Sequence, residues 1–295
     1  MTSHSKTICH ILAASILFAV TVGTISSARA MESPIGIVAE PCPAPVPMPA
    51  GLRDRLAALF LEPRKLTPAD MQDFLRDPRL TELDRENRRR AALDWPGLCR
   101  YRADNQTLLR SAIAPRVVFM GDSITENWVL ADPGFFDNGL VGRGISGQTT
   151  PQMLVRFRSD VVALRPGMVH ILAGTNDIAG NTGPTTAQDY KNNIMSMVEI
   201  AKANGIAVIL GSIPPAAEFS WRPGLDPVPR IKELNDWLRS YAATERIEFI
   251  DYHSALAGSA GELKQDLGND GVHPNRGGYA LMRRLVEPRV STRNR

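Results

Sequence analysis

The stretch Val117-Val118-Phe119-Met120-Gly121-Asp122-Ser123-Ile124-Thr125 decides the fold. Its apolar run stops at a Gly, a Ser follows two positions on, and an amphipathic segment follows the Ser. Such a run reads as a buried strand that turns straight into a helix. A Ser on that turn lies at the carboxyl end of the strand, where open α/β sheets place their ligands. The adjoining helix start offers free backbone N–H groups and a partial positive charge. Both favour a reaction that develops negative charge on an oxygen. The same stretch equally suits an ordinary strand-to-helix turn with Ser123 as its N-cap.

Outward from this turn, strand and helix patterns alternate. Strands are expected at Val117–Met120, Gly139–Val141, Met168–Ala173, Ala207–Ser212 and Glu248–Asp251. Helices are expected at Pro151–Leu164, Ala187–Asn204, Pro229–Thr244 and Gly277–Val286. Strands separated by helices call for an α/β domain, a parallel sheet with helices on both faces. This domain spans residues 111–290, and residues 291–295 form a tail.

Towards the N-terminus the character changes. Lys6, an apolar run from Ile8 to about Val22, and Ala28-Arg29-Ala30 together have the form of a signal peptide, residues 1–30, cleaved after Ala30. The expected location is therefore periplasmic or secreted, without stable membrane insertion after cleavage. Residues 31–110 begin as a Pro-rich leader and continue as charged helical segments, with Thr67-Pro68-Ala69-Asp70 a good helix start. No chemistry is evident in this extension; a brace is the first expectation for it and a lid the second. Trp95 and Leu98 are the residues expected to pack it onto the main domain. The run Glu86 to Arg90 reads as a solvated helix face. Cys9 leaves with the leader, so Cys42 and Cys99 remain, an even count in an oxidising compartment, and a disulfide between them is expected.

The balance of 43% hydrophobic and 22% charged residues is that of an ordinary globular chain. The leader takes two of the 34 basic residues, leaving 32 against 31 acidic ones. A charge so near neutral gives no support to a nucleic-acid or membrane-surface role. No helical His/Glu cluster suggests a metal, and no cofactor motif is evident.

A Ser hydroxyl needs a base. After the leader the candidates are His170, His253 and His273. His170 lies inside a strand and is expected to pack there; His253 follows a strand and could reach the same sheet edge. His273 lies in the polar loop Asp270-Gly271-Val272-His273-Pro274, where Asp270 can present a carboxylate to the imidazole from one turn. A plain solvent turn before a helix fits that loop too. Two further loops follow strands and carry Gly or Asn: Gly144-Ile145-Ser146-Gly147-Gln148-Thr149-Thr150 and Gly174-Thr175-Asn176-Asp177. Either could aim donors into the crevice, and either alone is an ordinary turn. Asp122 reads as a hydrogen-bonding partner within its tight turn rather than the catalytic acid. Arg143 reads as solvated, with an anionic substrate as the alternative.

Taken in order, "GDSIT", "GISGQTT", "GTND" and "DGVHP" resemble the four blocks of the SGNH superfamily, the GDSL-type lipases and esterases. The likeness runs from about Arg116 to Val290, and the detail of "GISGQTT" and "LAGTNDI" is similar to the branch of platelet-activating-factor acetylhydrolase-like acylesterases. Ile124 stands where the family name expects Leu, an apolar exchange. The resemblance implies a flavodoxin-like three-layer α/β/α sandwich with a mostly parallel, about five-stranded sheet. It implies Ser123 as nucleophile, with Asp270 and His273 completing a triad. The backbone N–H groups of Ser123 and Gly147 and the side-chain amide of Asn176 would form an oxyanion hole. The implied activity is hydrolysis of carboxylic esters, short acyl groups first, on a small ester or an acylated glycan. Acyl transfer to an extracytoplasmic glycan, a long-chain lipase or phospholipase, and a binding protein without catalysis are the other possibilities. Trp221 and Arg222 lie in a loop near the expected site mouth. The Trp can serve there as an acyl wall, a sugar platform or a buried anchor.

Overall fold

A computed structural model describes residues 36–43, 48–64, 66–111 and 113–291. The expected signal peptide, residues 1–30, lies outside them, and of the expected tail only Ser291 is described, at the end of a helix. Five strands form one sheet: β1 (Val117–Gly121), β2 (Leu140–Gly144), β3 (Met168–Leu172), β4 (Ala207–Gly211) and β5 (Glu248–Ile250). Their order is β2-β1-β3-β4-β5 and every pairing is parallel. In register, Val117 sits between Leu140 and Met168, and Gly121 between Gly144 and Leu172. Connections after β1 run to opposite sides of it, so the ends of β1 and β3 flank a topological switch point, where doubly wound sheets open a crevice.

Helices cover both faces because successive strand residues point to opposite sides and both sides are apolar. Val118 and Met120 join one core with Met153 and Phe157 of α6 (Thr150–Asp160) and Met197 and Val198 of α8 (Ala187–Ala203). Leu234 and Leu238 of α9 (Val228–Glu245) belong to the same core. Val117 and Phe119 join the other core, with Trp128 of α5 (Ser123–Ala131) and Tyr279 and Met282 of α11 (Arg276–Ser291). Phe119 meets Trp128, Phe135 and Phe136 edge-on. His170 is buried under Phe119 and shares a hydrogen bond of 2.9 Å between its Nε2 and the Tyr252 hydroxyl, the packing role expected of it. Two short helices, α7 (Thr175–Ala179) and α10 (Tyr252–Leu256), follow β3 and β5 directly.

Residues 42–295 form one unit, and residues 1–41 another, of which 36–41 are described and carry no helix or strand. The helical extension therefore belongs with the sheet. It contains α1 (Leu52–Leu56), which continues as one π-helical turn through Leu61, then α2 (Pro68–Leu75), α3 (Pro78–Leu93) and α4 (Arg102–Arg110). Thr67 and Asp70 form a reciprocal capping box at the start of α2, as the sequence suggested. α3 has no buried residue and carries ion pairs such as Arg89–Glu86, the solvated face expected. Cys42 and Cys99 are joined in a disulfide.

Two expectations fail here. Trp95 and Leu98 are exposed and do not pack the extension onto the sheet through their side chains. Leu61, Tyr101 and Asn105 are the buried residues that do so, Leu61 within the α5/α11 core and Asn105 against Asp160. Arg143, expected in solvent, is buried instead. Its Nε donates to Asn105 Oδ1 at 2.9 Å, and its guanidinium lies 4.6 Å from the Tyr101 ring centroid. The aromatic face and the amide from the extension replace part of the water around this cation, while its Nη2 has no acceptor among the described residues.

Candidate active site

Ser123 is the first residue of α5, and Asp122 is the N-cap: its side chain accepts from Ile124 N–H at 2.9 Å. Ser123 is thus left free of the capping duty that the sequence also allowed it. Gly121 makes the turn possible. A Cβ there would come within 2.1 Å of Thr125 Oγ1 and 2.7 Å of the Leu172 carbonyl. Ser123 Oγ lies 2.9 Å from His273 Nε2, and His273 Nδ1 lies 2.7 Å from Asp270 Oδ2. Asp270 Oδ1 accepts from the backbone N–H groups of Val272 and His273 at 3.0 and 2.8 Å, so the loop holds its carboxylate towards the ring.

Burial by itself would make Asp270 harder to ionise. The His273 charge and its hydrogen bonds overcome this and hold the carboxyl at about 2. Burial in turn pushes His273 down, but the Asp270 charge and hydrogen bond outweigh it, so the imidazole lies above its ordinary 6.5. An ionised Asp270 accepts a hydrogen bond from Nδ1–H and leaves Nε2 as acceptor for Ser123 Oγ–H. Asp122 is different: full burial raises its carboxyl to about 6.

The loop that carries His273 is fixed by Asn275, which no motif in the sequence marks. Its side chain, fully buried, donates to the Asp266 carbonyl and Asn269 Oδ1 and accepts from the N–H groups of Gly277 and Gly278. One amide thereby caps α11 and ties the loop back on itself.

Gly147 and Asn176 come to the same sheet end, after β2 and β3. Gly147 has φ +79° and is exposed. Among the described residues, neither its N–H nor that of Ser123 is engaged by a protein acceptor. Asn176 is buried at the start of α7, where Nδ2 donates to the Gln148 carbonyl at 3.0 Å and to Asp122 Oδ2 at 3.2 Å. Its Oδ1 accepts from Asn181, whose own Oδ1 accepts from Trp221 Nε1 at 3.0 Å. His253 takes no part in the Ser123–His273–Asp270 relay; its backbone N–H donates to Ser212 Oγ, just beyond the end of β4, at 2.8 Å. Glu126 and Gln148, which hold the loop around Gly147, were not singled out from sequence. Glu126 lies one helical turn beyond Ser123, and that spacing was the available signal. Among the described residues no cluster of three or more His, Cys, Asp or Glu is arranged to hold a metal ion.

The arrangement can move a proton from a hydroxyl to an imidazole beside free backbone donors, the chemistry of acyl transfer. The sequence profile of the GDSL-like lipase/acylhydrolase family matches residues 119–281, more than half of the chain. The chain belongs to the GDSL-like lipase/acylhydrolase family. A proposed acylhydrolase from Bacteroides fragilis is 47% identical in its solved structure, with a TM-score of 0.65 over 68% of this chain and 99% of that one. A GDSL-like lipase from Bacteroides thetaiotaomicron is 44% identical, with a TM-score of 0.63 over 66% of this chain and 98% of that one. The esterase TesA of Pseudomonas aeruginosa is 29% identical over 195 residues, which is 61% of this chain and 88% of TesA. As a GDSL-type protein the chain is a carboxylic-ester hydrolase with the SGNH fold. Among the described residues no helix is long and apolar enough to cross a membrane.

Proposed function

We propose that this GDSL esterase removes short acyl groups, acetyl foremost, from a small ester or an acylated glycan outside the cytoplasm, using Ser123, His273 and Asp270. The observation that carries the assignment is the unbroken relay from Ser123 Oγ through both His273 nitrogens to Asp270. In the first step Ser123 Oγ attacks the ester carbonyl and His273 Nε2 takes its proton. The carbonyl oxygen, now an oxyanion, is received by the N–H groups of Ser123 and Gly147 and by Asn176 Nδ2, which exchanges its longer bond, to Asp122 Oδ2, for one to the oxyanion. Protonated His273 then gives its proton to the departing alkoxide, leaving Ser123 acylated. Water, deprotonated by His273, attacks the acyl-enzyme, and the adduct collapses to release the acid as His273 returns the proton to Ser123 Oγ. Asp270 stays ionised throughout and stabilises the imidazolium.

The short acyl group is favoured by the polar surroundings of Asn176: Asp122, Gln148 and Asn181 bond to it, and Thr149 and Thr182 pair nearby. A long alkyl chain laid there would desolvate polar groups without pairing them. Trp221, stacked on Phe219 with ring centroids 5.1 Å apart and partly exposed, stands two hydrogen bonds from Asn176 and offers a flat face to a substrate. A series of p-nitrophenyl esters from acetate to laurate, run beside Ser123→Ala, tests this. Activity greatest on acetate, falling with chain length and abolished in Ser123→Ala, is expected. A maximum at long chains makes the substrate a lipid. Acyl groups appearing on an added glycan instead of in water make the reaction a transfer.

A further inference from the structure

Gly147 does not set its own position. It is exposed, and a Cβ built on it would meet nothing within 4 Å. The direction of its N–H is therefore decided by the residues on either side. Ser146 gives both its backbone N–H and its hydroxyl to Glu126 Oε2, at 2.8 and 2.6 Å, while Glu126 Oε1 accepts from Arg100 at 2.8 Å. Gln148 Nε2 donates to the Pro96 carbonyl at 2.8 Å, and Gln148 Oε1 accepts from buried Arg156 at 2.6 Å. The Gln148 carbonyl in turn receives Asn176 Nδ2. Just upstream, the Tyr101 hydroxyl donates to the Gly144 carbonyl. Pro96, Arg100 and Tyr101 all lie in the N-terminal extension, outside the family match at residues 119–281.

The supporting segment is itself built to be stiff. Asp94 accepts from Leu98 and Cys99 N–H with its two carboxylate oxygens, at 2.9 and 2.7 Å, and its carbonyl accepts from Gly97. Gly97 has φ +73°, and a Cβ there would lie 2.9 Å from Gln148 Nε2 and 3.0 Å from Ile145 Cδ1, so the turn rests directly on the loop. Cys99 anchors it through the disulfide to Cys42. Asn105 locks its far end, giving Nδ2 to Asp160 Oδ1 at 2.7 Å.

We propose that residues 94–105 are a positioning strut for the oxyanion hole: they hold the loop from Gly144 to Gln148 so that the Gly147 N–H and the Asn176 amide meet the carbonyl that Ser123 attacks. The inference rests on the site assignment above. A merely structural brace would change how easily the protein unfolds and leave the folded enzyme's turnover alone. A strut that aims donors changes kcat, because those bonds tighten only as the oxyanion forms.

The test compares Tyr101→Phe, Arg100→Gln and Arg100→Lys with the unchanged protein and with Ser123→Ala. It reads kcat and KM on p-nitrophenyl acetate, the inhibition constant of a trifluoromethyl ketone, whose Ser123 adduct carries an oxyanion, and the melting temperature. Tyr101→Phe and Arg100→Gln should each lower kcat by about tenfold or more, as expected of misplaced catalytic groups. KM should stay within about twofold, the signature of an interaction made only in the transition state. Affinity for the ketone should fall in step with kcat, and Arg100→Lys should restore most of both. Arg100 is on the surface, so its variants carry the test should Tyr101→Phe not fold. Unchanged kcat and ketone affinity in folded variants, with activity still dependent on Ser123, overturn the strut and leave the site assignment standing. Full activity in Ser123→Ala overturns the site assignment itself.

Discussion

In the proposed mechanism Ser123, His273 and Asp270 divide the work through their protonation states. His273 accepts the Ser123 proton only when neutral, and Asp270 raises its pKa above 6.5 against the opposing effect of burial. Esterase activity should therefore rise with pH through a midpoint above 6.5, which a kcat/KM–pH profile reads. In Asp270→Asn the larger favourable charge is gone while burial and the smaller pull of Asp122 remain, so that midpoint should move down. Turnover should fall by about 10⁴-fold, as when a triad loses its carboxylate. A profile that keeps its midpoint in Asp270→Asn would separate Asp270 from His273. Stability depends on the same two groups, each in its own direction. The raised pKa of His273 contributes stability that is present below 6.5 and lost as pH rises through its folded value. The depressed pKa of Asp270 contributes stability present above its ordinary 3.8 and lost as pH falls towards 2.

At the scale of elements, the contact between β2 and the first turn of α5 has no room to spare. A Cβ on Gly144 would lie 2.2 Å from Glu126 N and 2.6 Å from the Asp122 carbonyl, both backbone atoms that cannot swing aside. Gly144→Ala should cost about 1–3 kcal/mol of stability, measured by urea unfolding, because it overfills a packed contact. Ser123 begins α5 and Gly147 follows β2, so the same change should lower activity in the protein that remains folded. This proximity was not legible in the sequence, where Gly144 looks like any loop glycine. The strands and long helices were legible, because apolar runs and the 3.6-residue period are local signals. Their boundaries differ from the expectation by a few residues; β2, for example, starts at Leu140 and extends to Gly144 rather than ending at Val141. Arg143 was misjudged because its burial depends on Asn105 and Tyr101, about 40 positions away and in another element.

Across the whole molecule, the extension touches both halves of the site. Asn269, next to Asp270, donates to the carbonyls of Leu59 and Glu62 at 2.7 Å each, while Pro96 and Arg100 hold the loop of Gly147. The four blocks of sequence showed which residues gather at the sheet's carboxyl edge, yet gave no sign of what supports them, because that support is made by backbone carbonyls and long-range amides. The disulfide joins positions separated by 57 residues within this extension. Closing a loop of that size restricts the unfolded chain, so Cys42→Ser/Cys99→Ser should be less stable by about 2–4 kcal/mol. Denaturant unfolding of the oxidised protein beside the double variant checks this, and equal midpoints would show that the bond constrains little.

The central claim, that Ser123 carries the acyl group, is tested most directly by mass spectrometry of the protein quenched during turnover of p-nitrophenyl acetate. The account predicts an acetyl group on the peptide containing Ser123, one per chain at most, and neither adduct nor turnover in Ser123→Ala. Turnover without any adduct, persisting in Ser123→Ala, would contradict it.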